Sequence, residues 1–521
     1  MGYYKEKYDC VVIGASLAGL TSALVLASKG YKVLVLEKNN LPGGFATSFV
    51  RNKIEVDASL DSIMSIGQPH KPLKIRSFFE EMGIKIDWMK APEAYRLLVP
   101  SENIDIILHA GFSGSVSNNK FKKGIFKAAK EIDEKYPGSF SEVNKLLNLC
   151  ASVYNSVNIL NLKKCSKLKM LLFHNDFLRT LGYTADEVIN KFKLKKEVKD
   201  ILKAYWIYAG SPFNKLSFTV YAMLMADYFI GGNYVPKDFN HELSLKMSER
   251  CLDFKVQMEY NQNIIDIVQN NHIFEIKTNR NDIIYSNYVI SSFYPNIIYS
   301  KMFKDSLAFK KTNTNSNYNG LIKVSVILVL DKKPSDLNIK NYLVFSSQSD
   351  MDLNRLYENS KTLNTYDYLT AICLNYANKS CVEDGLTSLS ITYFAHPSAF
   401  FNVDKENYSH IKRKIAKEMI DATSKRLNVN LFEHITEIEI EMPHTILRYT
   451  NDYLGFIYGY RMDDHFLTSP FETYDENYIK GFSFTNSSLF SGCKLSQCIT
   501  NGINAANNIL KFMKEDKYNE N

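Results

Sequence analysis

The stretch YDCVVIGASLAGLTSALVLASKGYKVLVLE occupies residues 8–37. Its first six residues, Tyr8 to Ile13, read as a short buried strand. Gly14-Ala15-Ser16-Leu17-Ala18-Gly19 then forms a glycine-bearing turn into a helix. Leu20 to Lys29 carries apolar residues at helical spacing (Leu20, Ala23, Leu24, Ala27), and Gly30 stops it. Lys32 to Leu36 is a second strand ending on Glu37, with Lys38 beyond. This is a β-turn-α-β unit of the kind that binds dinucleotides. Gly14 permits the tight turn, and Gly19 lets the helix pack closely on the sheet. Leu17 and Ala18 open the helix, whose N–H groups meet a pyrophosphate. Glu37 can accept the ribose hydroxyls of an adenosine, and its carboxylate repels a 2′-phosphate. The middle glycine of the usual motif is replaced by Ser16, whose hydroxyl can bond a phosphate.

Leu41-Pro42-Gly43-Gly44-Phe45-Ala46-Thr47 follows just past the acidic strand end. Gly43 and Gly44 let a backbone pass close to a bound cofactor, beside Phe45 and Ala46. Plain nicotinamide dehydrogenases do not usually carry this pair. It points to FAD, extended with its isoalloxazine further into the protein.

The whole chain sets the outer limits. With 521 residues it is long enough for several domain-sized units and a large core. An apolar share of 45% and a charged share of 23% exclude a disordered, collagen-like or coiled-coil chain. The net charge of +7 is small for this length and gives no support to nucleic-acid binding. The 8 cysteines are scattered with no metal-ligand spacing, so no metal is expected and the thiols read as reduced, in a cytoplasmic protein. No run of 18 uncharged apolar residues exists. Residues 161–181 mix four lysines with Leu, Met and Phe, a pattern that suits either a solvated helix or contact with an anionic membrane surface. The aromatic share, 13%, is high.

From about 70 to 230 the periodicity is mostly helical, as in Gly124 to Lys135 and Phe140 to Leu149. Strands read at Val256 to Tyr260, Ile264 to Val268, Ile273 to Thr278 and Tyr288 to Ile290, after a helix at His241 to Phe254. Leu321 to Leu330 and Leu389 to Phe394 are further strands, and Tyr408 to Leu427 is an amphipathic helix. Residues 310–320 form an Asn-rich polar loop. A strand at Lys480 to Phe484, a loop from Asn486 to Gly492 and a helix from Ser496 to Met513 close the chain. The expected architecture is α/β. A discontinuous Rossmann-like cofactor domain is drawn from 1–70, 232–305 and 475–521. A helical cap spans 71–231, and a substrate domain of mixed antiparallel sheet and helices spans 306–474.

Three blocks of sequence carry a family resemblance. They are Tyr8 to Ser48, Gly232 to Pro295, and Pro443-His444-Thr445-Ile446-Leu447-Arg448-Tyr449-Thr450 through Gly455 to Gly459, leading to Thr500–Ala506. The chain resembles the FAD-dependent phytoene desaturase, carotenoid isomerase and retinol saturase superfamily, which shares its fold with amine oxidases. The resemblance implies FAD, with Ile264 on its adenine side. It also implies Leu495 and the carboxy-terminal loop residues Asn486, Ser488 and Gly492 near its ribityl chain. Two departures stand out. Lys237, Asp238 and Phe239 occupy positions where the family has glycines, and the carboxylate that holds the ribityl chain is absent.

The resemblance further implies an apolar, unsaturated small-molecule substrate and desaturation, saturation or isomerisation of its C–C bonds. His444, Arg448, Tyr449 and Tyr458 are the candidates beside the flavin. Tyr205, Trp206, Tyr208, Phe218, Tyr221, Tyr228 and Phe229 are expected to crowd the substrate pocket. Two rival readings stand beside this one: an amine or amino-acid oxidoreductase on the same fold, and a flavoprotein-like partner subunit with altered chemistry.

Overall fold

The computed structural model describes the chain except for residues 1–6, 52–53, 59–61, 111–121, 163–166, 304–319, 364–365, 405, 451–477, 486–494 and 520–521. The opening stretch folds as read, into strand β1 (Tyr8–Ile13), helix α1 (Leu17–Ala27) and strand β2 (Val33–Leu36). β1 and β2 run parallel, with Cys10 beside Val33 and Ile13 beside Leu36. The rest of this sheet comes from far along the chain: β3 (Gln257–Glu259), β4 (Ile264–Asn270), β5 (Ile273–Thr278), β6 (Ile283–Ser291) and β7 (Phe482–Phe484). The order is β3-β2-β1-β6-β5-β4, with β7 also on β6. β1, β2, β3, β6 and β7 are parallel neighbours, and β4–β5 is an antiparallel hairpin added at one side.

Every residue of α1 is buried. A helix apolar on all faces needs cover on all faces. The sheet supplies one side, helix α2 (Phe239–Asp253) and the closing helix α4 (Leu495–Asn519) the others. Each buried leucine of α1 contributes roughly 2 kcal/mol. The contact with α4 is close because residue 502 is glycine. A Cβ there would lie 2.3 Å from the Ala18 carbonyl oxygen and 2.6 Å from Thr21 Cβ. The Ser22 hydroxyl donates to the Gly502 carbonyl oxygen at 2.9 Å. The two ends of the chain thus build one unit.

A second seven-stranded sheet stands beside it. Its order is Ile435–Glu441, Ile322–Leu330, Thr387–Ala395, Tyr368–Cys373, Leu343–Ser347, Tyr95–Val99, Ile104–Leu108. All nine residues of Ile322–Leu330 are buried. Helix Tyr408–Leu427 covers one face through Ile415, Met419 and Ile420. The helical region covers the other.

Two expectations need correction. Residues 71–231 are not wholly helical, because Trp88–Lys90, Tyr95–Val99 and Ile104–Leu108 are strands and two of them complete the second sheet. In the last, burial alternates residue by residue, with Ile104, Ile106 and Leu108 inward, so the period of two was there to be read. The aromatic cluster, in turn, lines neither large pocket found among the described residues. Tyr205, Trp206, Tyr208, Phe218, Tyr221, Tyr228 and Phe229 are all buried in one core. Tyr205 stacks on Tyr228 with centroids 3.7 Å apart and meets Tyr95 edge-on at 4.8 Å. The Tyr205 hydroxyl donates to the Ala94 carbonyl oxygen at 2.8 Å, and that of Tyr221 to Leu202 at 2.9 Å. Rings packed this tightly, with their hydroxyls bonded to main chain, fill space that a substrate would need.

Where the family has glycines, Phe239 takes φ +62° at the start of α2. A bulky side chain in the left-handed region costs of the order of 1 kcal/mol. Its ring packs against the large core, which offsets the strain. The polar loop 310–320 lies, up to residue 319, outside the described residues.

Candidate functional site

At the carboxyl ends of β1 and β2, where ligands sit in open α/β sheets, the chain leaves a cleft of about 900 Å³. Gly14 leaves β1 at φ +97°. Ser16 caps α1 in extended geometry, so its position does not require glycine. Its hydroxyl accepts from the Gly19 N–H at 3.2 Å and donates to the Ser292 hydroxyl at 3.0 Å. Gly19 itself serves packing: a Cβ there would fall 2.0 Å from the Gly14 carbonyl oxygen.

Glu37 ends β2 inside the cleft wall. The Ala15 N–H donates to its Oε2 and the Asn39 N–H to its Oε1, each at 2.8 Å. Burial pushes its carboxyl above the ordinary range, against these bonds. The Gly43 N–H donates to the Ala15 carbonyl oxygen at 2.8 Å, which lays the Gly43–Gly44 turn over the start of α1.

Gly14, Ser16, Leu17, Ala18, Glu37, Lys38, Gly43, Gly44, Phe45, Ala46, Ile264 and Leu495 line this one cleft. Asn486, Ser488, Gly492 and Tyr458 lie outside the described residues. Among the other candidates, Tyr449 lines the cleft, while His444 and Arg448 do not. All three stand on helix α3 (Pro443–Thr450). His444 is exposed, its ring edge-on to Tyr408 at 5.3 Å. Arg448 is exposed, with its guanidinium 5.8 Å from the Tyr449 ring centroid.

Sequence reading missed Asn39, Gln262, Asn263, Ser292, Phe293, Tyr294, Thr450, Thr485 and Cys498, which also line the cleft. Ser292 to Tyr294 directly follow the strand that joins β1, and a polar turn after a buried parallel strand was the available signal.

A second pocket of about 1030 Å³ shares Asn39, Gly44, Phe45, Tyr449 and Thr450 with the cleft. Leu41, Pro42, Phe49 and Ile446 add apolar wall. Ala58, Glu439 and Glu441 form another side.

The cleft can be tested for a dinucleotide by its orphaned polar atoms. Gln262 Oε1 and Thr485 Oγ1 are buried in its wall with no hydrogen-bond partner among the described residues. Such atoms are costly unless a polar ligand completes them. With the helix start, the Glu37 carboxylate and the glycine turn, the residues present fit FAD.

Known proteins bear on this geometry. The model of the NAD(P)-binding Rossmann-like domain family matches residues 12–81. Prolycopene isomerase of Daucus carota is 22% identical over 460 residues, 85% of this chain and 70% of that protein. The 1-hydroxycarotenoid 3,4-desaturase of Flavobacterium sp. (strain P99-3) is 23% identical over 487 residues, 88% of this chain and 89% of its own. The all-trans-retinol 13,14-reductase of Rattus norvegicus is 25% identical over 251 residues, 46% of this chain and 39% of its own. The chain is a homologue of these isomerases, desaturases and reductases. The resemblance read from its three blocks therefore holds. Among solved structures, putrescine oxidase bound to putrescine superposes with a TM-score of 0.61 at 14% identity, over 97% of this chain and 99% of that one. Cyclohexylamine oxidase from Brevibacterium oxydans IH-35A gives 0.60 at 10% identity, over 98% of this chain and 100% of that one. At such identities the likeness is one of fold alone.

Proposed function

We propose that this protein is an FAD-dependent oxidoreductase acting on C–C bonds of a long apolar polyene, isoprenoid or acyl substrate, by desaturation, saturation or isomerisation. The carrying observation is the junction of the two pockets. The cleft shares Phe45 and Tyr449 with a second pocket, whose mixed wall includes Leu41, Pro42, Phe49 and Ile446. Homology to enzymes named for prolycopene, a hydroxycarotenoid and retinol supports an apolar substrate.

When bound, FAD supplies hydride acceptance and donation. Glu37 would hold the adenosine ribose, and the start of α1 with Ser16 and Ser292 the pyrophosphate. The Gly43–Gly44 turn would let the extended cofactor pass. Phe45 and Tyr449 line both pockets and would flank the reacting part of the substrate.

The purified protein is expected to be yellow, and anaerobic addition of polyenes to change the flavin absorbance while amines leave it unchanged. A colourless protein that takes up no added FAD, or bleaching by amines alone, overturns the proposal.

We also propose a peripheral contact with anionic lipid. In the helix Lys167–Phe173, Leu171, Leu172 and Phe173 are exposed to 66%, 64% and 76%. The surrounding segment carries Lys163, Lys164, Lys167 and Lys169. Among the described residues no helix is long and apolar enough to cross a membrane. Co-sedimentation with phosphatidylserine vesicles should fall in L171S/L172S/F173S; retention at the wild-type level counts against this contact.

A further inference from the structure

Beneath its apolar walls the second pocket has a charged floor. The Lys323 ammonium, on the strand next to the edge of the second sheet, donates to the Ala58 carbonyl oxygen at 2.9 Å and lies 3.2 Å from Glu441 Oε2. Ala58 and Glu441 both line the pocket. The side chains of Lys323 and Glu441 are only 11% and 7% exposed. Glu441 Oε2 is sealed from solvent and, despite the ammonium nearby, makes no aligned hydrogen bond among the described residues. Next to Ala58, Asp57 is buried, and its Oδ1 accepts the Asn240 N–H at 2.9 Å.

The charges here do not balance. Asp57 faces Glu55, Glu441 and Lys323, with Cys381 also within electrostatic reach. Glu441 faces Lys323, Glu439 and Lys412. Among the described residues one buried ammonium, that of Lys323, serves the two buried carboxyls, with the half-buried Lys412 near Glu441. Ionising both would leave the second buried charge poorly compensated, which favours a proton on one of them. Burial pushes both carboxyls above their ordinary range, Asp57 the further.

We propose that Asp57, Lys323 and Glu441 form a proton-handling site for the substrate in the second pocket, with Glu441 the group that touches it. This rests on the C–C reading above. In desaturation, adjacent carbons lose a hydride and a proton. With FAD bound to supply hydride acceptance, the Glu441 carboxylate would take the proton, and the C–H electron pair it leaves behind would form the new double bond. Saturation moves the same atoms in reverse, and isomerisation needs the proton to be added and withdrawn. Lys323 positions the carboxylate and holds its charge, and Asp57 carries the stored proton.

Two measurements on the full chain test this. Infrared spectra of the purified protein at neutral pH should show a protonated-carboxyl band that Asp57→Asn or Glu441→Gln removes. Turnover of a polyene in D2O should place solvent deuterium in the product. Glu441→Gln should slow that incorporation about 10²-fold, leave KM near wild type and flatten the pH profile of kcat. Lys323→Met should shift that profile. A spectrum with no carboxyl band sensitive to either variant, or wild-type incorporation in Glu441→Gln, overturns the proposal. If the wild type turns over no polyene, the C–C reading fails on its own, and the infrared result still decides whether the cluster stores a proton.

Discussion

The Lys38 ammonium donates to the Arg448 carbonyl oxygen at 2.8 Å, joining residues 410 positions apart in the chain. Next to it, the Asn39 side-chain amide donates to the Tyr449 carbonyl oxygen at 3.0 Å. Both carbonyls belong to the last turn of α3, where helix oxygens lack intrahelical partners and a cation is favourable. The residues that follow Glu37 thus fasten α3 across the boundary of the two pockets.

Lys38→Met should loosen that fastening by about 0.3–1 kcal/mol. Limited proteolysis within 443–450 should then run about two- to fivefold faster, and FAD should enter and leave the apoprotein faster. Unchanged cleavage would show that the bond holds nothing in place.

Ser16 caps α1 through the Gly19 N–H. Ser16→Ala should destabilise the protein by about 1 kcal/mol in urea unfolding, whereas Ser16→Gly should cost only a few tenths. Equal losses would mean that the cap is not what Ser16 contributes.

Gly502→Ala should force α1 and α4 apart, since the new methyl would meet the Ala18 carbonyl at 2.3 Å. The expected loss is about 1–3 kcal/mol. Asn507→Ala, exposed on the same helix, should stay within about 0.5 kcal/mol. A neutral Gly502→Ala would contradict the close helix contact.

Asp57 titrates higher in the folded protein than in the unfolded chain. The folded state then binds more protons in that interval, so stability falls as pH rises from the ordinary carboxylate range towards the raised value. Asp57→Asn should flatten this part of the dependence of Tm on pH. A variant whose slope matches wild type would place the missing proton elsewhere.

The residues of the cleft were legible because the pattern that builds it is local. A strand, a turn, a helix start and an acidic strand end lie within thirty residues, and each obeys a short-range rule. The helix cap shows the limit of that reading. Ser16 looked like a departure from a glycine motif, but the backbone there is extended and the serine caps the helix. Phe239 also departs from the family, and there the backbone does take the left-handed form, held by the packing of its ring. His444 and Arg448 were read from a motif, yet neither lines the cleft, while Tyr449 on the same helix does, though half exposed.

From residues 8–37 alone follow the β-turn-α-β unit, its dinucleotide chemistry and the carboxylate at its end, since these depend on neighbours in the chain. Only the tertiary structure decided that the aromatic cluster around Tyr205 is core, because ring packing depends on partners from five or more segments. It alone brought Asp57, Lys323 and Glu441 together from three separate strands. No spacing in the sequence marks them, because a buried charge is recognised only by what surrounds it.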